Sequence, residues 1–157
     1  MIKAIISDFS RVLLSTKNNN YTEGINDLHE NLLLEDNNYN FWDYFVLNEE
    51  LLEFYNKINN KLNIYIFTTR YVQQHVPVKE KLGNTFKDIF IAKDLEIKKT
   101  NKEAYSLIAD KIEFKTSEIL YIDDKQINID AAKASGMTTI LFKTNKDTIK
   151  NIENSIQ

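Results

Sequence analysis

Acidic side chains stand directly after two apolar segments of the chain. Asp8 follows the run AIIS, and the pair Asp123-Asp124 ends the run EILYIDD. Short apolar runs of this kind predict buried strands. Carboxylates at the carboxyl ends of two such strands suggest a metal-assisted site. Oxygen ligands around an open position suit Mg²⁺ better than zinc, which would require His or Cys.

Two further residues would complete a phosphoryl-transfer site. Thr68 ends a third apolar run, NIYIFT, and Lys99 lies in the polar segment KKTNK. An Asp carboxylate can attack phosphorus to form an acyl-phosphate, while a cation, a Lys and a hydroxyl stabilise the transferred group. Asp8 would then be the nucleophile, with Mg²⁺ on Asp123 and Asp124. Thr68 and Lys99 would hold the phosphoryl oxygens.

The elements that must position these residues alternate along the chain. Strands are predicted at residues 2–7, 63–67, 88–91, 119–122 and 138–142, and helices at 49–61, 72–82, 102–112 and 127–134. The strand runs are apolar on both faces, which is typical of a covered parallel sheet. The alternation predicts an α/β fold with a doubly wound sheet, whose ligand crevice lies beyond the carboxyl ends of the strands.

Residues 14–48 interrupt this alternation and predict a small helical insertion within a single domain of residues 1–157. The insertion contains an amphipathic stretch near residues 25–34 and an aromatic cluster at 39–45, which is more typical of a small core than of a substrate platform. His29 and His75 are far apart in sequence, so each is assigned a solvent-exposed or structural role.

Composition excludes several classes of function. The chain has 157 residues, a formal charge of -3 and no Cys, so a Cys nucleophile and a thiolate metal site are excluded. It has no long Lys/Arg block, and we expect neither nucleic acid nor membrane as a partner. The N-terminal apolar run is too short for a signal peptide, and no run approaches the ~20 residues of a membrane span, so a cytoplasmic location is the default expectation.

Four segments occur in the order of the four motifs of a known family. They are DFSRVLL, IYIFTTR, KKTNKEAY and YIDDKQINIDAAKASGMTTILF. With them the chain resembles the haloacid dehalogenase (HAD)-like hydrolase superfamily of Rossmann-like phosphatases and their relatives. The resemblance covers nearly the whole chain and implies a Mg²⁺-dependent hydrolase with a cap-like insertion.

The resemblance also implies roles for particular residues. Asp8 would be the nucleophile, and the main-chain carbonyl of Ser10 would be a metal ligand together with Asp8 and Asp124. Asp123 would be either a second ligand or a support for its neighbour. Thr68 would contact phosphate, with Thr69 beside it. Lys99 has the family's spacing to Tyr105, with Lys98 as the alternative, and Asn128 would orient the metal site or cap a helix.

Two residues depart from the phosphatase pattern. Family phosphatases carry a second Asp at the Ser10 position, where it protonates the leaving oxygen and then activates water. A Ser hydroxyl cannot replace this general acid/base, whose contribution is roughly 100-fold to 10,000-fold. Dehalogenases, phosphonatases and P-type ATPases of the superfamily also lack this Asp. Arg11 occupies the position of the usual Gly, where it would contact substrate, block the entrance or pack against the insertion.

The sequence therefore supports one leading hypothesis and two alternatives. The leading one is a phosphatase that acts through an aspartyl-phosphate, with low activity because of Ser10. The first alternative is a non-catalytic module that binds phosphate, metal or a protein on a degenerate fold. The second, ranked lowest, is a dehalogenase. The short insertion predicts an open site, a larger phosphorylated substrate, or a partner subunit, including another copy of the chain, that completes the lid.

Overall fold

A computed structural model describes all residues, 1–157, as seven strands and seven α-helices. In chain order the elements are β1 (Ala4–Ser7), β2 (Leu14–Thr16), α1 (Ile25–Glu35), α2 (Phe41–Tyr44), β3 (Phe45–Leu47), α3 (Glu49–Ile58), β4 (Asn63–Thr68), α4 (Val76–Leu82), β5 (Asp88–Ile91), α5 (Lys102–Lys111), β6 (Ile119–Asp123), α6 (Gln126–Ala134), β7 (Thr138–Leu141) and α7 (Asn145–Ile156). Two short 3₁₀ helices, Val72–Gln74 and Thr116–Glu118, precede α4 and β6. No helix combines the length and the apolar character needed to cross a membrane.

The main sheet has five parallel strands in the order β5-β4-β1-β6-β7. β1 is central, with Ser7 paired to Ile66 of β4 on one side and to Ile122 of β6 on the other. This register brings the ends of β1, β4 and β6 to the same edge of the sheet. The predicted α/β fold with a covered parallel sheet is confirmed.

Alternate residues of the strands build two separate cores. Ile5 packs on one face with side chains of α3, α4 and α7, whereas Ala4 and Ile6 pack on the other face with α5 and α6. All three residues are fully buried. Because both faces are covered, the apolar runs are continuous and do not alternate with polar residues.

The lobe, which we define as residues 14–48, contains two short strands as well as two helices. β2 and β3 pair antiparallel, with Leu14 opposite Leu47, and form a separate two-stranded sheet. Phe41 and Phe45 are each 1% exposed and stack with ring centroids 4.4 Å apart. These two rings of the aromatic cluster are therefore core residues of the lobe, and they belong to the same apolar cluster as Ile5 of β1.

Two histidines join the lobe to the segment that follows β4. The His29 and His75 rings lie 4.9 Å apart, and the His75 ring stacks on Tyr39 at a centroid distance of 5.9 Å. His29 Nδ1 and the Tyr39 hydroxyl share a hydrogen bond of 2.6 Å. Burial, reinforced by His75, lowers the pKa of His29 to about 4, and burial also lowers the pKa of His75.

We expect acid to destabilise the protein through His29. Its unfolded pKa is about 6.5, above the folded pKa of about 4, so between these values the unfolded state binds more protons. Stability should therefore fall as the pH drops from about 6.5 towards 4, by about 2 kcal/mol. Urea unfolding at several pH values would measure this slope. His29→Asn should show a flatter slope than the wild type, and equal slopes would refute the assignment.

Candidate active site

The carboxyl ends of β1 and β6 place three carboxylates together. Asp8 directly follows β1, Asp123 is the last residue of β6, and Asp124 comes next. One carboxylate oxygen from each of the three lies within 4.8 Å of the others. The strand register dictates this arrangement, because Ser7 and Ile122 pair directly. The three residues could hold a metal ion.

Lys99 lies between two of these carboxylates. Its Nζ is 2.7 Å from Asp8 Oδ1 and 2.9 Å from Asp123 Oδ2. The Lys99 side chain is 6% exposed, and the Tyr105 hydroxyl donates a 2.7 Å hydrogen bond to the Lys99 carbonyl. The Tyr105 spacing noted in the sequence thus corresponds to a direct contact that fixes the backbone at Lys99. Lys98 is exposed.

The oxygens of Asp123 are occupied by donors from the protein. Oδ1 accepts a 2.8 Å hydrogen bond from the Lys125 backbone N–H. Oδ2 accepts hydrogen bonds from Asn128 Nδ2, at 3.0 Å, and from the Tyr121 hydroxyl, in addition to the Lys99 contact. Asp123 is fully buried. This arrangement favours a supporting role for Asp123, which holds Lys99 in place.

The site carries more negative than positive charge. Burial raises the pKa of Asp8 to about 7, although Lys99 opposes the shift. Burial and the neighbouring Asp123 raise the pKa of Asp124. For Asp123, Lys99 and the hydrogen bond from Tyr121 outweigh burial and lower the pKa. Three carboxylates face one buried ammonium, so a bound cation would stabilise their ionised forms.

Three buried polar atoms at this edge of the sheet have no hydrogen-bond partner. They are Asp124 Oδ1, Ser10 Oγ and Thr68 Oγ1. Buried polar atoms in native proteins are nearly always paired, and an unpaired one calls for an explanation such as a ligand. The unpaired Asp124 oxygen and the excess negative charge both fit an oxygen-coordinated divalent cation.

A polar cavity of about 330 Å³ opens above these carboxylates. The predicted residues that line it are Asp8, Ser10, Arg11, Thr69, Lys99, Asp124 and Asn128. Thr68 and Asp123 are fully buried beneath it. The lobe contributes residues 22–27 to the lining of the cavity, and we call them the lobe wall. Of the 15 lining residues only Ile25 is hydrophobic.

Arg11 connects the core to the lobe. Its backbone has a φ of 67°, in the left-handed region that an arginine rarely adopts. Its Nη2 donates hydrogen bonds of 3.0 Å to the Tyr21 carbonyl and 2.8 Å to the Glu23 carbonyl. Of the roles that the sequence left open for Arg11, the contacts support packing against the insertion.

A second arginine at this site was not predicted from the sequence. Arg70 follows Thr69 directly and also lines the cavity. Its guanidinium forms ion pairs with Asp27 and, at 3.1 Å, with Glu30, both on α1. Its position after the TT pair of the second motif was the available signal. Its partners could not be read from the sequence, because they depend on how the lobe packs.

Comparison with known proteins agrees with this geometry. The family model for haloacid dehalogenase-like hydrolases matches residues 8–142 of the chain. The chain belongs to this family. The match begins at Asp8, directly after β1, and ends just past β7, and therefore includes every residue of the site described above. Among curated proteins, no sequence match was found.

Solved structures share the fold of this haloacid dehalogenase-like hydrolase. A predicted HAD-like family hydrolase from Porphyromonas gingivalis aligns with a TM-score of 0.70 at 13% identity, over 100% of this chain and 98% of that one. A hydrolase from Streptococcus pneumoniae gives a TM-score of 0.67 at 17% identity, over 97% and 98% of the two chains. A HAD family enzyme from Bacteroides thetaiotaomicron, solved with magnesium and inorganic phosphate, gives a TM-score of 0.66 at 14% identity, over 92% of this chain and 96% of that one.

Proposed function

We propose that this haloacid dehalogenase-like hydrolase is a Mg²⁺-dependent phosphatase that cleaves phosphomonoesters through an aspartyl-phosphate on Asp8. The observation that carries the proposal is the position of Lys99, whose ammonium bridges Asp8 and Asp123 at 2.7 and 2.9 Å beside the unpaired oxygen of Asp124. A buried carboxylate held next to a fixed cation in a polar cavity is arranged to receive a phosphoryl group.

The residues present fit a magnesium ion. Asp8, Asp124 and the main-chain carbonyl of Ser10 would hold it, whereas Asp123 would position Lys99. All of these ligands are oxygens, as Mg²⁺ prefers. When bound, the ion would neutralise phosphoryl oxygens during transfer. The Bacteroides thetaiotaomicron enzyme, solved with magnesium and inorganic phosphate, supports this choice of metal.

The chain's own residues would carry out the reaction in two steps. In the first, an Asp8 carboxylate oxygen attacks phosphorus, the P–O bond to the leaving group breaks, and the leaving oxygen takes a proton from water. In the second, water attacks the aspartyl-phosphate, which releases inorganic phosphate and restores Asp8. Lys99 and the Thr68 hydroxyl would hold phosphoryl oxygens in both steps, with Thr69 at the cavity surface.

Ser10 sets the rate of this reaction. Ser10 lines the cavity, and its buried hydroxyl has no hydrogen-bond partner, but the residue has no carboxyl group to exchange a proton. Both steps would then rely on water for proton transfer, which costs roughly two to four orders of magnitude. The substrate would be a phosphorylated molecule whose leaving group needs little acid assistance or is oriented by the lobe.

Turnover of an aryl phosphate with Mg²⁺ tests the proposal. We expect the wild type to release phosphate, Asp8→Asn to show none above background, and chelation of the metal to stop the reaction. Glu153→Gln, an exposed change on α7 far from the cavity, serves as the control and should match the wild type.

Metal binding separates the proposal from its alternative. Calorimetry should detect Mg²⁺ binding to the wild type and a loss of at least tenfold in affinity for Asp124→Ala. Binding of metal and phosphate without any turnover would show a non-catalytic module. Absence of metal binding in the wild type would remove both interpretations.

A further inference from the structure

The lobe wall carries the groups that the leaving group of a substrate would meet. Thr22, Glu23, Asn26 and Asp27 of the lobe line the same cavity as Asp8 and Asp124. The aromatic side chains of the lobe do not line it; Phe41 and Phe45 are buried in the lobe core. The cavity therefore offers no flat apolar surface for a base or another aromatic ring.

Both arginines at the cavity are already paired within the protein. Arg11 donates to the Tyr21 and Glu23 carbonyls, and Arg70 binds the Asp27 and Glu30 carboxylates. Arg70 thereby neutralises Asp27. Neither guanidinium is left to bind a second anionic group of a substrate, such as a carboxylate or another phosphate. Lys125 also lines the cavity and forms no ion pair, but it follows Asp124 in the core domain and does not belong to the lobe wall.

Glu23 is the charged side chain of the lobe wall that has no partner. Its carboxylate takes part in no hydrogen bond and no ion pair, whereas its backbone carbonyl is held by Arg11 at 2.8 Å. Arg11 thus holds the backbone of Glu23 at the cavity, which Ser10 also lines, while the Glu23 side chain is exposed. An unpaired carboxylate at a fixed place attracts a cation and repels an anion.

The size of the cavity limits the ligand. About 330 Å³ is at the small end of the range for small-molecule sites. The phosphoryl group and its metal would fill part of this space, so the leaving group can have only a few heavy atoms. Its surroundings are polar except for Ile25.

From these observations we propose that Glu23 selects the substrate: a phosphomonoester of a small alcohol that carries an amino group, which Glu23 binds as an ammonium. This inference rests on the phosphatase function proposed above and adds the chemical class of the leaving group. Glu23 would determine specificity, while Arg11 would be a positioning residue that acts through the Glu23 backbone.

Three esters of equal length test the inference. They are phosphoethanolamine, 2-hydroxyethyl phosphate and 2-phosphoglycolate, which end in an amine, a hydroxyl and a carboxylate. For the wild type we expect kcat/KM to be about tenfold higher for the amine than for the hydroxyl, and lowest for the carboxylate. In Glu23→Gln the amine-to-hydroxyl ratio should fall to within about twofold of one, and Glu23→Lys should favour 2-phosphoglycolate. The control Glu153→Gln should keep the wild-type ratios.

The outcomes distinguish this inference from the proposed function. Turnover that requires Asp8 but shows no preference for the amine, or a preference that survives in Glu23→Gln, would overturn the role of Glu23 and leave the phosphatase intact. If no ester is turned over, their affinities for the Asp8→Asn protein with Mg²⁺ provide the second measurement. The inference would be supported if the Asp8→Asn protein bound phosphoethanolamine more tightly than 2-phosphoglycolate, and if this preference were lost when Glu23→Gln is added to Asp8→Asn. Equal binding of the two esters by the Asp8→Asn protein would refute the inference.

Discussion

Replacing Ser10 with Asp is expected to raise the turnover of an alkyl phosphate by about 100-fold or more. Ser10 and Asp8 both line the cavity, and the buried Ser10 hydroxyl is unpaired. A carboxyl group there could protonate the leaving oxygen and then take a proton from the attacking water. An aryl phosphate should gain less, because its leaving group needs little acid assistance. Steady-state phosphate release by wild type and Ser10→Asp gives the comparison.

Two variants make this prediction specific. Ser10→Asn has nearly the same size as Ser10→Asp but lacks the acid, so it should show no gain. Ser10→Asp combined with Asp8→Asn should be inactive, since the added carboxyl only assists a reaction that Asp8 begins. Equal gains in the Asp and Asn variants would mean that side-chain volume, and not proton transfer, limits the rate at this position.

Replacing Lys99 with Met is expected to abolish turnover and to cost about 3–5 kcal/mol of stability in the absence of metal. The Lys99 ammonium is the buried cation that contacts Asp8 and Asp123. Met keeps most of the aliphatic side chain, so the loss would reflect the two carboxylates left without a charged partner. Urea unfolding at pH 7 without metal would measure the cost.

The pH dependence and a neighbouring lysine provide controls. Burial already raises the pKa of Asp8 to about 7, and Lys99 opposes that shift, so its removal should raise this pKa further. Protonation relieves the unpaired charge, and Asp8 differs in protonation between the two proteins only above its wild-type pKa of about 7. The stability difference between wild type and Lys99→Met should therefore shrink as the pH falls towards 7. Lys98→Met, at an exposed position, should be close to wild type in stability and turnover. Similar losses in the two variants would contradict the assignment of Lys99.

Much of the fold could be predicted because the core strands are apolar without interruption. All five strands of the main sheet lie within two residues of their predicted bounds. Two kinds of element were missed. β2 and β3 have three residues each, with a single exposed residue between two buried ones, which is too short for a periodic pattern.

The last helix was missed for a different reason. α7 is mostly polar, and its two buried residues are Thr148 and Ile152. The available signal was its start, where the Thr144 hydroxyl accepts a hydrogen bond from the Asp147 backbone N–H. A Thr followed three residues later by an acidic residue is typical of a helix N-terminus.

Some residues of the candidate site could likewise be predicted from the sequence, and others could not. The proximity of Asp8 and Asp124 could be predicted, because the carboxyl ends of neighbouring parallel strands lie at the same edge of the sheet. Lys99 needed its spacing to Tyr105 as well. The partners of Arg70 and the position of Glu23 could not be predicted, because they depend on the contacts of the lobe with the core. For Asp123 the sequence left two roles open, and the four donors around its oxygens favour one of them.

The central position of β1 has a consequence for biosynthesis. Both partners of this strand, β4 and β6, are translated later, and β6 ends only at Asp123. Until that residue leaves the ribosome, the nascent chain carries an apolar strand with an unpaired edge, which is a surface prone to aggregation. Chaperones that bind short apolar segments would therefore be most needed during synthesis of the first three quarters of the chain.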